Sequence, residues 1–282
     1  MNYYVLGPLL VRSESAVPGA SPPAPAAGHL TAPKPRKVLA LLLLRANLVV
    51  PVETLIAELW GDEPPASAHT TLQTYILQIR RMLGRILNAC PERVASEILI
   101  TASGGYRLHV GPNELDLHEY ERLAEEGRQA LSRLDDVEGA ALLGRALAMW
   151  QGGALIDVRL GPVLQVEVRR LEEGRLDLWQ QRIDAELRLD RHHAVLGELG
   201  SLAARHPLHE DLQAQYMVAL YRAGRRTDAL EAFHRLRDTL QNDLGLEPSQ
   251  RIQRLQHAIL TADPTLDHTQ TRADQLVYAE LP

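Results

Sequence analysis

Apolar residues recur at helical spacing along the segment from about Ser67 to Leu87. The apolar positions step by four, three, four and three residues, which places them on one helix face and predicts that this face packs against a core. The opposite face and its flanks collect hydrogen-bonding and basic side chains, with one apolar exception. The core stripe is Leu72, Ile76, Ile79, Leu83 and Ile86, and the outward residues are Thr70, Gln73, Thr74, Leu77, Gln78, Arg80, Arg81 and Arg85.

The residues before this helix predict a strand and two shorter helices. Tyr3 to Arg12 is β-rich and partly alternating, whereas Ser13 to Gly28 is crowded with Pro, Ala, Gly and Ser, which favours a flexible loop. Prolines then mark the start of an apolar helix over Arg36 to Arg45. A short link over Asn47 to Val50 leads to a second helix, Val52 to Trp60, which a glycine ends.

Two short β-rich segments separated by glycines follow the long helix. Glu97 to Thr101 and Tyr106 to Val110 predict two strands that are joined by a tight turn at Gly104 and Gly105. Helix, helix, long helix and hairpin, in that order, are typical of a winged helix-turn-helix. The sequence therefore predicts an α+β winged-helix domain over residues 1–112.

From Asp116 onward the pattern is helical throughout. Shifting the chain against itself by 34 residues aligns like residues, such as Leu199 with Phe233, and this offset is the period of tetratricopeptide helical pairs. The predicted fold class is mostly α: the winged helix is followed by an all-α tetratricopeptide-like domain over residues 113–262, with a flexible tail over 263–282. Helices are predicted at 116–134, 137–150, 162–189, 192–206, 208–222, 227–243 and 248–260.

Charge is divided unevenly along the chain, whose net charge is −6. Residues 1–112 carry 10 Lys and Arg against 7 Asp and Glu, whereas residues 113–282 carry 20 against 29. A basic first part could meet phosphates that the acidic second part would avoid, which favours a nucleic-acid partner for the first domain. Cys90 is the only cysteine, which excludes an internal disulfide and suits a reducing cytoplasm. The longest aliphatic run is too short to cross a bilayer, so we expect a cytoplasmic protein with no membrane partner.

The outward face of the long helix carries the groups that DNA-binding proteins present to a major groove. Threonine, glutamine and arginine side chains read base edges and hold the phosphates beside them, and Leu77 could touch a thymine methyl group. The same composition also fits an ordinary solvated helix face. The winged-helix order favours DNA, because it requires such a surface in this place; Arg81 and Arg85 would then lie beside the phosphate backbone.

Two further segments carry candidate phosphate contacts. The hairpin tip suits a wing laid on the DNA backbone, although its glycines also fit a plain β-turn that needs positive φ. The basic start of the first helix suits a phosphate because backbone N–H groups point outward there, and it fits solubilising charges equally well. The candidates are Gly105, Tyr106 and Arg107 on the hairpin and Lys34, Arg36 and Lys37 on the helix.

No sequence feature supports an enzyme, a metal site or a cofactor. A phosphate-binding glycine loop, a dinucleotide fingerprint and a nucleophile elbow are all missing from the sequence. The histidine pairs at 192–193 and at 206 and 209 have no third ligand at a defined spacing. Trp60 and Trp150 are interpreted as packing residues.

Several motifs, in the same order, resemble the Streptomyces antibiotic regulatory protein family, and the resemblance covers about residues 1–262. The first half contributes LALLLLRANLVVPVETLIAELWG (39–61), PPASA (64–68), LQTYILQIRRMLG (72–84) and GYRL (105–108). The second half contributes LAMWQG (147–152), ALYRAGR (219–225) and DLGLEP (243–248). The Pro/Ala-rich stretch before Gly28 is longer than is usual in this family, which puts the N-terminal sheet in question.

The resemblance implies an OmpR-type winged helix joined to a bacterial transcriptional activation domain, without the ATPase module of larger relatives. It implies binding to direct repeats in the promoters of secondary-metabolite genes and contact with RNA polymerase and its sigma factor. On this likeness, base contacts fall to Gln73, Thr74 and Gln78, and backbone contacts fall to Thr70, Arg80, Arg81 and Arg107.

The sequence therefore predicts a transcriptional activator that binds double-stranded promoter DNA as a homodimer or as paired monomers, in association with the nucleoid. Two alternatives stay open at this point. One is a helical-repeat scaffold that holds a protein partner, since concave repeat surfaces serve that purpose. The other is a repressor that uses the same DNA-binding domain.

Overall fold

The computed structural model describes residues 2–12, 30 and 32–267. It divides into two compact units. The first unit combines the chain up to Leu123 with Ala146–Arg175, and the second combines Ala124–Arg145 with the chain from Leu176 onward. In this division, Ala146–Arg175 from the helical half of the sequence groups with the winged helix.

The N-terminal segment forms two strands rather than the single predicted one. β1 (Asn2–Tyr4) and β2 (Leu10–Arg12) pair in antiparallel register, with Asn2 opposite Arg12. The residues between them turn because their N–H groups find distant acceptors: the carboxylate of Asp116 accepts from Val5 and Leu6, and Asp157 accepts from Leu9 at 2.8 Å. The loop predicted over Ser13 to Gly28 lies outside the described residues.

Three helices form the centre of the first unit: α1 (Pro33–Leu44), α2 (Val52–Trp60) and α3 (Ala68–Leu87). Every residue of α1 from Val38 to Leu43 is buried, which explains why its sequence is apolar all round. The predicted link between α1 and α2 contains a further strand, β3 (Val49–Pro51).

The wing follows α3 through a short helical segment. α4 (Pro91–Arg93) runs into a π-helical turn, Val94–Ile98, where the sequence predicted the start of a strand. β4 (Leu99–Ala102) and β5 (Gly105–Leu108) then form the hairpin, and β5 lies between β3 and β4 in an antiparallel sheet. The winged helix-turn-helix predicted from the order of elements is confirmed.

Each helix predicted beyond Asp116 is present, with its ends within two residues of the predicted ones. Glycine, proline and residues of positive φ lie between the helices, as at Leu134 and Gly152. None of the described helices is both long enough and apolar enough to cross a membrane. The helices are α5 (Asp116–Ser132), α6 (Asp136–Ala148), α7 (Pro162–Arg188), α8 (His192–Arg205), α9 (Glu210–Arg222), α10 (Arg226–Leu244) and α11 (Gln250–Thr261).

The helical repeat is visible in the second unit. α7 and α9 end 34 residues apart, and α8 and α10 begin 34 residues apart. The turns match as well: Asp190 (φ 58°) and Gly224 (φ 73°) are both left-handed, and each is followed by an N–H group that bonds a carbonyl five residues earlier, at 2.9 Å. The aligned pair Leu199 and Phe233 is buried.

The structure describes the first five residues of the segment predicted as a flexible tail, 263–267. Pro264–Leu266 form a turn of 3-10 helix, which Asp263 caps through the N–H group of Thr265. The Nε of Arg222 donates to the carbonyl of Leu266 at 2.9 Å, which ties this turn to α9. Residues 268–282 lie outside the described part of the chain.

Candidate nucleic-acid interface

Helix α3 buries the predicted stripe and exposes the predicted reading face. Leu72, Ile76, Ile79 and Leu83 are each at most 2% exposed, whereas Ile86 near the end of the helix is only partly buried. Burial of one face fixes the rotation of the helix about its axis, so the opposite face points to solvent. The exposed residues are Thr70, Gln73, Thr74, Leu77, Gln78, Arg81 and Arg85.

The polar groups of this face keep hydrogen-bonding capacity for a ligand. The hydroxyl of Thr74 donates to the carbonyl of Thr70 at 3.1 Å, so its oxygen remains an acceptor. The amides of Gln73 and Gln78 both extend from the exposed face. Leu77 is 45% exposed between them, although leucine is usually buried.

Three arginines give this surface its positive charge. Arg81 and Arg85 lie on α3, and Arg107 lies on the outward side of the wing strand β5. Within the described residues none of the three forms an ion pair or a side-chain hydrogen bond. Unpaired guanidinium groups beside a polar helix face are suited to phosphate oxygens.

The three cations of α1, in contrast, have partners inside the first unit. The Nζ of Lys34 lies 4.8 Å from the ring centroid of Trp60, and the Nζ of Lys37 donates to the carbonyl of Glu58 at 3.4 Å. Arg36 forms an ion pair with Asp157. Of these predicted phosphate contacts, Arg36 is the least available, because its guanidinium is already matched by a carboxylate.

Arg80, which was predicted to contact the DNA backbone, has hydrogen-bond partners within the first unit. Its Nε and Nη2 both donate to the carbonyl of Leu99, at 3.0 and 2.7 Å, and Nη2 also donates to the hydroxyl of Thr101 at 2.8 Å. Burial of the guanidinium lowers the pKa of Arg80. The side chain therefore joins α3 to β4 and is not a free cation on the surface.

Two wing residues that were predicted to contact DNA are internal. Tyr106 is only 8% exposed, so its side chain belongs to the core of the sheet. Gly105 is buried because β3 crosses it closely: a Cβ atom there would lie 2.1 Å from the carbonyl oxygen of Val50. Gly104 forms the exposed tip with φ 77°, and Arg107 is the exposed cation behind it.

One residue that sequence reasoning missed connects α2 to the helical half of the chain. Glu58 is 1% exposed, and its carboxylate accepts from the N–H groups of Gly161 at 2.6 Å and Leu164 at 2.9 Å. Arg45 forms a second connection, with Glu167 at 3.0 Å. No local pattern indicates these pairs, because each joins residues more than a hundred positions apart.

A helix-turn-helix with an exposed polar third helix and a cationic wing defines a winged-helix transcriptional regulator. Family models match both halves of the chain: "Transcriptional regulatory protein, C terminal" over residues 28–108 and "Bacterial transcriptional activator domain" over residues 115–260. The chain belongs to the Streptomyces antibiotic regulatory protein family of transcriptional activators, as its motifs predicted.

Named relatives support this assignment. The chain is 53% identical over 234 residues to the regulatory protein DnrI of Streptomyces peucetius, covering 83% of this chain and 86% of DnrI. It is 36% identical to the regulatory protein AfsR of Streptomyces griseus over 83% of this chain, but it spans only 23% of AfsR. Among solved structures, Mycobacterium tuberculosis EmbR in complex with a low-affinity phosphopeptide matches with a TM-score of 0.80 and 29% identity, covering 99% of this chain and 71% of EmbR.

Proposed function

We propose that this protein activates a secondary-metabolite gene cluster by binding direct repeats upstream of its promoter and recruiting RNA polymerase with its sigma factor. The observation that supports the proposal is the surface formed by α3 and the wing, where exposed threonine and glutamine side chains accompany arginines that have no partner among the described residues. Direct repeats favour two copies placed side by side on DNA, each with α3 in a major groove. The family membership supports the activating role.

Within this surface we assign base reading to Gln73, Thr74, Leu77 and Gln78. Glutamine recognises adenine through paired hydrogen bonds, and threonine and leucine can pack on a thymine methyl group. We assign backbone contact to Arg81, Arg85 and Arg107, with Thr70 at the start of the helix. The cations of α1 have a smaller part in this proposal, because their head groups are engaged within the protein.

Fluorescence anisotropy on the promoter repeats, measured across a salt series, tests the proposal. We expect Arg81→Ala to weaken binding to every sequence and to lower the salt slope by about one. Gln73→Ala should relax preference at particular bases by about 1–3 kcal/mol and leave the salt slope unchanged. Arg145→Ala is the matched control, since Arg145 is exposed in the second unit and has no partner among the described residues.

The two alternatives predict different results. A protein-binding scaffold would show no salt-sensitive binding to the repeats, and Arg81→Ala would then change nothing. A repressor would bind in the same way but would lower the yield of transcript in a purified transcription assay. A rise in transcript with wild-type protein, lost in Arg81→Ala, is the outcome that activation requires.

A further inference from the structure

We infer that Arg80 is a positioning residue, which holds the wing against α3 and thereby places Arg107 on the DNA backbone. The inference rests on the proposed wing contact of Arg107. It assigns to Arg80 a role other than direct contact with a phosphate.

The guanidinium of Arg80 holds β4 at two points. Two of its nitrogens share the carbonyl of Leu99, at 3.0 and 2.7 Å, and one of them also reaches the hydroxyl of Thr101 at 2.8 Å. Leu99 is fully buried and Arg80 is half-buried, so the two bonds to the Leu99 carbonyl are partly shielded from water, whereas the bond to Thr101 is exposed. Hydrogen bonds from a charged donor in such a place are stronger than neutral ones at the surface.

The sheet register connects these two points to the wing cation. Leu99 and Thr101 flank Ile100, and Ile100 is paired directly with Arg107 across the β4–β5 ladder. The other side of β5 is fixed by β3, where Val49 is paired with Arg107. Arg107 therefore lies in the central strand of a sheet whose outer strand is attached to α3 by Arg80. If that attachment is lost, the wing can shift relative to the recognition helix.

The substitution Arg80→Lys distinguishes a role in positioning the wing from direct contact with a phosphate. A lysine keeps the positive charge and could still approach a phosphate as a point charge. It cannot reproduce a planar fork in which Nε and Nη2 together donate to one carbonyl while Nη2 also donates to a hydroxyl. Arg80→Lys should therefore behave like Arg80→Ala if the residue positions the wing, and like wild type if it is a phosphate ligand.

Hydrogen exchange on the DNA-free full chain tests the positioning directly. In Arg80→Lys, the backbone amides of β4 and β5 should exchange about tenfold faster than in wild type. The amide of His109, which donates to the carbonyl of Ile98 at 2.7 Å, should exchange faster as well. Arg85→Lys is the matched control, because Arg85 lies on the same helix without a partner among the described residues, and the hairpin should then exchange as in wild type. Unchanged hairpin protection in Arg80→Lys would overturn the inference, whatever happens on DNA.

A double-mutant cycle on DNA supplies the second test. We expect Arg80→Lys and Arg107→Ala each to weaken binding about tenfold and the double variant to weaken it little further, because both changes remove the same wing contact. Arg85→Ala combined with Arg107→Ala should be additive. Additive losses for Arg80 and Arg107 would contradict positioning. If Arg107→Ala alone had no effect, the proposed wing contact would be wrong, while hydrogen exchange would still decide the role of Arg80.

Discussion

The carboxylate of Glu58 on α2 accepts a hydrogen bond from the N–H group of Leu164 at 2.9 Å, in the first turn of α7. The first N–H groups of a helix have no partner within the helix, and a carboxylate at that end also interacts favourably with the helix dipole. The helix-turn-helix therefore supplies the N-terminal cap of a helix that belongs to the activation domain.

We expect Glu58→Ala to destabilise the protein by about 3 kcal/mol, because it leaves buried N–H groups without an acceptor. Glu58→Gln keeps one acceptor oxygen and should cost less. Urea unfolding followed by circular dichroism measures both. Glu53→Gln, an exposed position on the same helix, is the control, and an equal loss for the two glutamine variants would contradict the capping role.

Arg36 provides a prediction about DNA binding and stability together. Because its guanidinium is paired with Asp157, Arg36→Ala should lower the free energy of unfolding by about 1 kcal/mol. It should leave the salt dependence of DNA binding as in wild type, whereas Arg81→Ala should reduce the slope by about one. A reduced slope in Arg36→Ala would show that the ion pair opens and that Arg36 contacts phosphate after all.

The turns between successive helices share a left-handed residue, and this predicts a stabilising substitution. Leu134 lies in the turn between α5 and α6, where it is left-handed (φ 64°) and 60% exposed. Gly224 occupies the equivalent position in the turn between α9 and α10. Glycine removes the steric cost of a left-handed Cβ atom, and this gain exceeds the extra conformational entropy that glycine gives the unfolded chain. Leu134→Gly should therefore raise the free energy of unfolding by about 0.5 kcal/mol.

The reciprocal change is the control for that turn. Gly224→Ala should destabilise by about 1 kcal/mol, since nothing but backbone conformation opposes a Cβ atom there. Urea unfolding of the full chain measures both variants. Opposite signs are required, and a loss of stability in Leu134→Gly would show that the exposed leucine makes a contact that outweighs its strain.

His206 predicts a pH dependence of the second unit. Burial, together with Arg205 and His209, lowers the pKa of His206 below its ordinary value near 6.5. The folded state therefore resists protonation, so stability present above about pH 6.5 is lost as the pH falls toward the folded-state pKa. His206→Gln should flatten this dependence in urea unfolding between pH 7 and 5, and the exposed His257→Gln should not.

The buried and exposed faces of α3 could be predicted from the sequence because its pattern is local. Burial of Leu72 and Ile79 on one face of α3 follows from residue spacing, and the exposure of Gln73 follows from it in turn. β3 escaped prediction because it is short and depends on its pairing with β5.

The partners of charged side chains could not be predicted in this way. The split of the N-terminal strand depends on Asp116 and Asp157, which lie far along the chain, and the engagement of Arg80 depends on how the hairpin folds back to α3. The charge and spacing of residues along one helix do not reveal which distant groups lie near them. An arginine that is hydrogen-bonded within the protein therefore cannot be told from an exposed one by sequence.

The membership of Ala146–Arg175 in the first unit has a consequence for protein engineering. A transplant of the DNA-reading half between relatives, cut near residue 112, would separate Glu58 from the main-chain groups that it caps and Arg36 from its counter-ion. In such a chimera, the transplanted winged helix would pack against the recipient's 146–175 segment, with which it did not evolve. Graft boundaries that move this segment with the reading half keep its native contacts.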